Sequence, residues 1–270
     1  MAEGVAFCAA PNISTEWDMI FDDRYEVFLA DTPESKTLHY QLRYQVYCEE
    51  TGWERRRQFL QEKLERDGFD ENSHHFLVRD RVSLDWVGGM RLVERPFEGL
   101  PISKFCQVDR ENQGCFEQGR CVEVSRLFVL PDFRCGRRLK SGEAKEPVAG
   151  RGSYHYEVIL GLIRAARGFG LNNGINSWYF LVEPALARAI KGMGIDLHRC
   201  GPGVQHKGLR HPYYVGVNCF ERVFSGVDEI RSMFLMEDTY KHYSRIDAVK
   251  YLDAEVKPSS ICFGNEEASA

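Results

Sequence analysis

The apolar positions of this chain fall into short patches whose spacing switches between the period of a strand and that of a helix. Tyr25-Glu26-Val27-Phe28-Leu29-Ala30 reads as a strand. Asp31 or Thr32 can then cap a helix with Pro33 in its first turn. Leu38, Leu42, Val46 and Tyr47 recur at helical spacing and carry that helix to about Glu50. From Trp53 to Asp70 the chain is densely charged, the pattern of a solvated loop or helix. Two strands with hairpin grammar follow, His75 to Arg79 and Trp86 to Val93, then a Gly- and Pro-containing connection from Pro96 to Gly119. The most apolar strand pattern runs from Cys121 to Leu130 and stops at Pro131. Gly136 to Gly152 is polar, basic and glycine-rich, and is expected to be a mobile loop.

In the second half, Val158, Ile159, Leu162, Ile163 and Ala166 share one face of a helix from Tyr154 to Phe169, closed by Gly168 and Gly170. Ser177 to Val182 reads as a strand, and Pro184 opens a helix to about Met193. Tyr213 to Val217 reads as a late strand and Val227 to Tyr243 as a last helix, and the final dozen residues look disordered. This order predicts one α/β domain, a mixed central sheet flanked by helices, over 23–245. An irregular segment, 1–22, precedes it, and a tail, 246–270, follows.

Composition narrows the partners. A net charge of −5 over 270 residues argues against a general nucleic-acid binder. The nine cysteines are scattered, with no CxxC pair, and so predict free thiols rather than a disulfide framework or a metal site. The opening segment lacks the basic start of a signal peptide, and no stretch reaches the roughly 18 apolar residues of a membrane helix. A cytoplasmic protein without stable membrane insertion is expected.

The candidate chemistry lies on the strand ending at Pro131. Glu123 and Arg126 are three residues apart, which places them on opposite faces of a regular strand unless a bulge intervenes. They form either a structural ion pair or a cleft in which Glu123 accepts a proton from an ammonium nucleophile.

Around this strand the chain resembles the autoinducer synthases that make acyl-homoserine lactones. The resemblance rests on Arg43-Tyr44-Gln45-Val46-Tyr47, Gly52-Trp53, Asp67-Gly68-Phe69-Asp70, Gly88-Gly89-Met90-Arg91-Leu92 and Glu123-Val124-Ser125-Arg126, in order and spacing. Residues from Glu123 to about Gly216 are similar to the GCN5-related N-acetyltransferase fold, in which a splayed strand offers backbone N–H groups to a pantetheine arm. The resemblance is strongest to long-chain N-acyl amino acid synthases, and among them to exosortase-associated acyltransferases. A basic insertion at 137–152, an interrupted pyrophosphate loop and no clear tyrosine acid between Val182 and Ala189 all depart from acetyl-CoA-dependent enzymes.

The resemblance implies an N-acyltransferase that moves a long acyl chain from an acyl carrier protein thioester, or less readily from acyl-CoA, to the amine of an amino-acid-like acceptor. The acyl-pantetheine thioester is then a co-substrate, and no tightly bound cofactor or metal is expected. Glu123 and Arg126 are the implied catalytic pair, with Glu123 as base and Arg126 orienting the acceptor carboxylate or holding the charged cluster. Arg43, Trp53, Asp67, Asp70 and Arg91 are the implied acceptor site, or else a scaffold of ion pairs; Tyr47 either walls the cleft or packs in the core. Leu127, Phe128, Val129, Arg134 and Arg138 are the implied donor site. The basic run around Arg134, Arg137, Arg138, Lys140, Lys145 and Arg151 either steers an acidic carrier protein or is a soluble loop. Phe105, Leu127, Val158, Leu162, Trp178 and Phe180 are candidates for an acyl tunnel or for ordinary core. Rival readings are a lactone synthase using S-adenosylmethionine, an acyl-CoA-dependent N-acyltransferase and a non-catalytic acyl-binding module.

Overall fold

The computed structural model describes residues 24–109, 120–134, 154–192, 195–216 and 239–245. Thr32 caps the first helix, α1 (Pro33–Tyr44), through a reciprocal box. Its hydroxyl accepts from the Ser35 N–H at 3.2 Å, and the Ser35 hydroxyl accepts from the Thr32 N–H at 3.0 Å. The predicted continuation to Glu50 is present but changes pitch, with Gln45–Glu50 forming a π-helical turn.

The charged stretch after Trp53 is not simply solvated. It contains a short helix, α2 (Arg57–Glu62), and then turns inward, burying Glu65 and Asp70. The predicted hairpin follows as β1 (Tyr25–Leu29) against β2 (Ser73–Asp80) against β3 (Trp86–Glu94), all antiparallel. β4 (Arg120–Val129) pairs antiparallel with β3 and parallel with β5 (Ile175–Val182). Between them come α3 (Pro131–Arg134) and the long α4 (Tyr154–Asn172). After α5 (Pro184–Gly192), the short strands β6 (His198–Arg199) and β7 (Val204–Gln205) flank β8 (Leu209–Gly216).

The sheet order is β6-β8-β5-β4-β3-β2-β1-β9. β9 (Lys241–His242) corrects the expected helix from Val227 to Tyr243. Its last residues are extended and run parallel to β1, because the backbone edge of β1 is there to receive them; residues 227–238 lie outside those described. The expected loop at 136–152, with Arg138, also lies outside them. No helix among the described residues is long and apolar enough to cross a membrane.

α4 covers one face of the sheet. Val158, Leu162, Ile163 and Ala166 pack there on Val122, Val124, Trp178 and Phe180 in a single buried core. The tunnel candidates Val158, Leu162, Trp178 and Phe180 are thus core residues, with Leu127 packed partly against them. Phe105 departs from the tunnel expectation, since it is 45% exposed and its ring lies 4.1 Å from that of His206. On the opposite face, Leu38, Leu42, Val46 and Tyr47 meet Leu77 and Phe128, and Leu100, Ile102 and Cys106 meet Val93 and Tyr179. The candidate site lies on this second face.

Candidate active site

Of the two ways in which Glu123 and Arg126 could serve one cleft, a bulge or use of one of them from the strand edge, β4 shows the bulge. Gly89 faces Phe128 and Arg91 faces Ser125, so Met90 stands opposite two residues, Arg126 and Leu127. Arg126 takes a left-handed conformation, φ +49°, rare for a residue with a side chain. The extra residue brings Arg126 to the face that Glu123 and Ser125 already occupy. Two glycines let β3 sit this close to its neighbours. A Cβ on Gly88 would stand 2.5 Å from the Phe128 carbonyl oxygen on β4, and one on Gly89 would stand 2.7 Å from the Phe76 carbonyl oxygen on β2 and 2.9 Å from the Phe128 ring.

Arg126 does not hydrogen-bond Glu123. Its guanidinium donates to Glu65 at 3.0 Å, Asp67 at 3.2 Å and Glu54 at 3.4 Å. Arg43 is fully buried and donates to Glu65 at 2.5 Å and Asp70 at 2.6 Å. Arg91 donates to Asp67 and Asp70, both at 2.7 Å, and its Nε donates to the Ser125 hydroxyl at 3.0 Å. Three arginines from α1, β3 and β4 are therefore closed by three carboxylates from the loop after α2, with Glu54 as a fourth on Arg126. Burial pushes the Glu65 carboxyl up, but Arg43 and Arg126 outweigh it and hold the group down at about 2. Asp70 is likewise destabilised as an anion by burial and held far below the carboxylate range by Arg43 and Arg91.

Glu65 was not among the sequence candidates. Arg43, Arg91 and Arg126 call for more anions than Asp67 and Asp70, but the sequence does not single out Glu65 among its charged neighbours. Beneath this network, the buried His39 and His75 rings lie 4.7 Å apart. Burial pushes His75 down to about 3 despite nearby Asp70, so it is neutral near pH 7.

Glu123 has a different environment. It is 3% exposed, and its one hydrogen bond among the described residues is from the Ile102 N–H, at 2.6 Å. Burial pushes its carboxyl up to about 8, against the pull of the Ile102 N–H, Arg91 and Arg126. This is the range in which a carboxylate can exchange protons with an amine.

β4 and β5 separate just past Glu123. Their last paired residues are Val124 and Phe180, while Leu181 and Val182 continue to pair only with β8. Successive peptide groups of a strand point to alternate edges. The Leu130 N–H donates to Val87 on β3, so the peptide groups of Leu127 and Val129 are turned to the opposite, opened edge. Their carbonyl oxygens are taken by side chains. The Tyr47 hydroxyl donates to Leu127 O at 3.1 Å, and Arg134 Nε donates to Val129 O at 2.7 Å. Arg134 also pairs with Glu50 at 2.5 Å. The Phe128 ring packs with Leu77 and Tyr47, away from this edge.

Trp53 is 38% exposed and stacks on Tyr47 with ring centres 6.2 Å apart. A polar cavity of about 520 Å³ lies between α1 and the loop after α2, and Asp67 and Asp70 help to line it. Among the described residues, no group of three or more His, Cys, Asp or Glu side chains could hold a metal ion.

Residues 42–141 match the acetyltransferase (GNAT) domain family. No curated protein matches the chain. Three solved structures resemble it across most of its length. BjaI is a CoA-dependent acyl-homoserine lactone synthase solved with SAM and isopentyl-CoA. It is 20% identical, with a TM-score of 0.53 over 84% of this chain and 97% of its own. TofI, solved in a ternary complex with an inhibitor and MTA, is 17% identical, with a TM-score of 0.52 over 75% and 96%. FeeM, an N-acyl amino acid synthase from uncultured soil microbes, is 12% identical, with a TM-score of 0.51 over 74% and 94%. The sheet with its β4–β5 opening, the helices on both faces and the GNAT-domain match together give the chain a mixed α/β fold of the GNAT type, similar to that of the acyl-homoserine lactone synthases.

Proposed function

We propose that the protein is an N-acyltransferase that moves a long acyl chain from a carrier thioester to the amine of an amino acid. The observation that carries this reading is the opened edge of β4 at Leu127 and Val129, beside a buried carboxylate whose proton affinity matches an amine. Glu123 takes the proton from the acceptor ammonium. The freed amine attacks the thioester carbonyl, and the C–N bond forms as the carbonyl becomes an oxyanion held by the Leu127 and Val129 N–H groups. The oxyanion then collapses, the C–S bond breaks, the amide nitrogen releases its second proton to solvent, and the departing pantetheine sulfur takes up a proton from protonated Glu123 or solvent. No covalent bond to the enzyme is required.

Arg43, Asp67, Asp70, Arg91 and Arg126 hold α1 and its following loop in place over β4. Trp53 and Tyr47 wall the acceptor side, while Leu127, Val129 and the basic segment with Arg134 and Arg138 meet the donor. Acyl carrier protein is the preferred donor because that segment is basic on an acidic chain, and such a donor implies action in the cytosol. Long-chain N-acyl amino acid synthases of the exosortase-associated kind fit this reading.

A second reading, lactone synthesis from S-adenosylmethionine, is favoured by the long match to BjaI. Incubating the protein with hexadecanoyl carrier protein or hexadecanoyl-CoA, and either the twenty amino acids or S-adenosylmethionine, separates the two by mass spectrometry. N-acyl amino acids support the proposal. A lactone formed only with S-adenosylmethionine, or no transfer at all, overturns it.

A further inference from the structure

Two guanidiniums end one aromatic stack at the mouth of the β4–β5 opening, and they differ in what they still need. Arg126 lies 5.4 Å from the centre of the Tyr47 ring, Tyr47 stacks on Trp53, and Arg210 lies 5.3 Å from the centre of the Trp53 ring. Arg126 is occupied by three carboxylates. Arg210 has no such closure. Its Nε is buried without a hydrogen-bond partner, and its nearest carboxylate among the described residues, Glu183, is 3.8 Å away. That distance is too long for a hydrogen bond.

A guanidinium only 20% exposed, with a buried Nε unbonded and its nearest carboxylate beyond hydrogen-bond reach, is costly unless a ligand completes it. It belongs to the wall that β8 and β5 make. Its neighbour His211 pairs with Val182, beyond the last residue that β5 shares with β4. From that wall it reaches the Trp53 and Tyr47 rings, which stand on the β4 side.

We propose that Arg210 binds the carboxylate of the acceptor amino acid, with Trp53 as the flat surface against which the guanidinium is held. The assignment rests on the acyl-transfer reading above and deepens it, because it makes a free α-carboxylate part of what the acceptor must carry. A planar guanidinium fork suits bidentate contact with a carboxylate. Arg126, which the sequence offered for this role, already has its Nε and Nη2 committed to Glu65, Asp67 and Glu54 and its charge balanced by them. Arg56 and Arg66, the arginines lining the 520 Å³ cavity, are exposed to solvent, which screens them, and Arg66 already pairs with Glu62.

The test uses the full chain and the variants Arg210→Met, Arg210→Lys and Arg56→Met, each checked for folding by near-ultraviolet circular dichroism. Binding of each of the twenty amino acids, and of their carboxamides, is read by tryptophan fluorescence without donor. Transfer from hexadecanoyl carrier protein is read separately. The proposal expects the wild type to prefer the carboxylate over the carboxamide. It expects Arg210→Met to weaken carboxylate binding and raise the acceptor KM roughly 10- to 100-fold, with the donor KM unchanged. Arg210→Lys should recover part of the loss.

Equal binding of carboxylate and carboxamide by wild type, a loss in Arg56→Met instead, or a change confined to donor KM would each overturn the assignment. An Arg210-dependent binding signal without any transfer would uphold the carboxylate site and overturn the acyl-transfer reading. Transfer that is indifferent to Arg210 would do the reverse.

Discussion

The backbone N–H of Ile102 donates a 2.6 Å hydrogen bond to the Glu123 carboxylate. No second hydrogen-bond donor reaches that carboxylate among the described residues, so desolvation dominates and the proton is held up to about pH 8. A carboxyl whose pKa is raised by folding adds stability below its unfolded value near 4.5, and that contribution is lost as pH rises toward 8. Glu123→Gln keeps an acceptor for the Ile102 N–H and cannot ionise. Its urea midpoint should therefore fall less than that of wild type between pH 6 and 9. Parallel curves would show that Glu123 is not buried as described.

The arginine–carboxylate network should behave in the opposite sense. Glu65 and Asp70 are depressed on folding, so the stability they confer is present above about pH 4.5 and is lost as pH falls toward 2. Arg43→Met removes the buried cation and leaves both carboxylates short of a partner. The expected cost is about 3–5 kcal/mol at pH 7, shrinking in acid, as read from urea unfolding. A change below 1 kcal/mol would contradict the network.

Gly89→Ala adds a single methyl group where two strands and the Phe128 ring already meet. Such overpacking typically costs about 1–3 kcal/mol. Because the shift falls beside the bulge that carries Arg126, the acceptor KM should rise as well. An alanine variant with wild-type stability would mean that β3 and β4 are less closely apposed.

Tyr47→Phe removes the hydroxyl that occupies Leu127 O while leaving the ring on Trp53. The stability loss should be small, about 0.5–1.5 kcal/mol. The informative reading is the KM for the thioester, which should change more than that for the amino acid, since the freed carbonyl lies on the opened edge of β4 proposed to meet the donor. The reverse pattern would move Tyr47 to the acceptor side alone.

The extent to which the sequence foretold this arrangement varies with how local the cause is. The Thr32 cap, the hairpin from β2 to β3 and the helix α4 follow from neighbouring residues and appear where the pattern puts them, except that α4 runs through its expected stop at Gly168 and Gly170 to Asn172. The β4 bulge was legible because Glu123 and Arg126 conflict with strict alternation on an apolar strand. Glu65 was not legible as a site residue. In a run with Glu62, Lys63, Arg66 and Asp67, nothing local shows that Glu65 folds inward while Glu62 stays at the surface. Arg210 carries no motif, and its importance comes from what Glu54, Glu65 and Asp67 have already taken from Arg126. β9 was misread because a two-residue parallel pair with β1 depends on a partner more than 200 positions away.

The central claim is that Glu123 removes the acceptor's proton, and single-turnover transfer from hexadecanoyl carrier protein, followed from pH 6 to 10, tests it most directly. The wild-type rate should rise with pH and level off above about 8, and Glu123→Gln should be slower by roughly 10²- to 10⁴-fold across the range. A glutamine variant that is folded and as fast as wild type at every pH would contradict it.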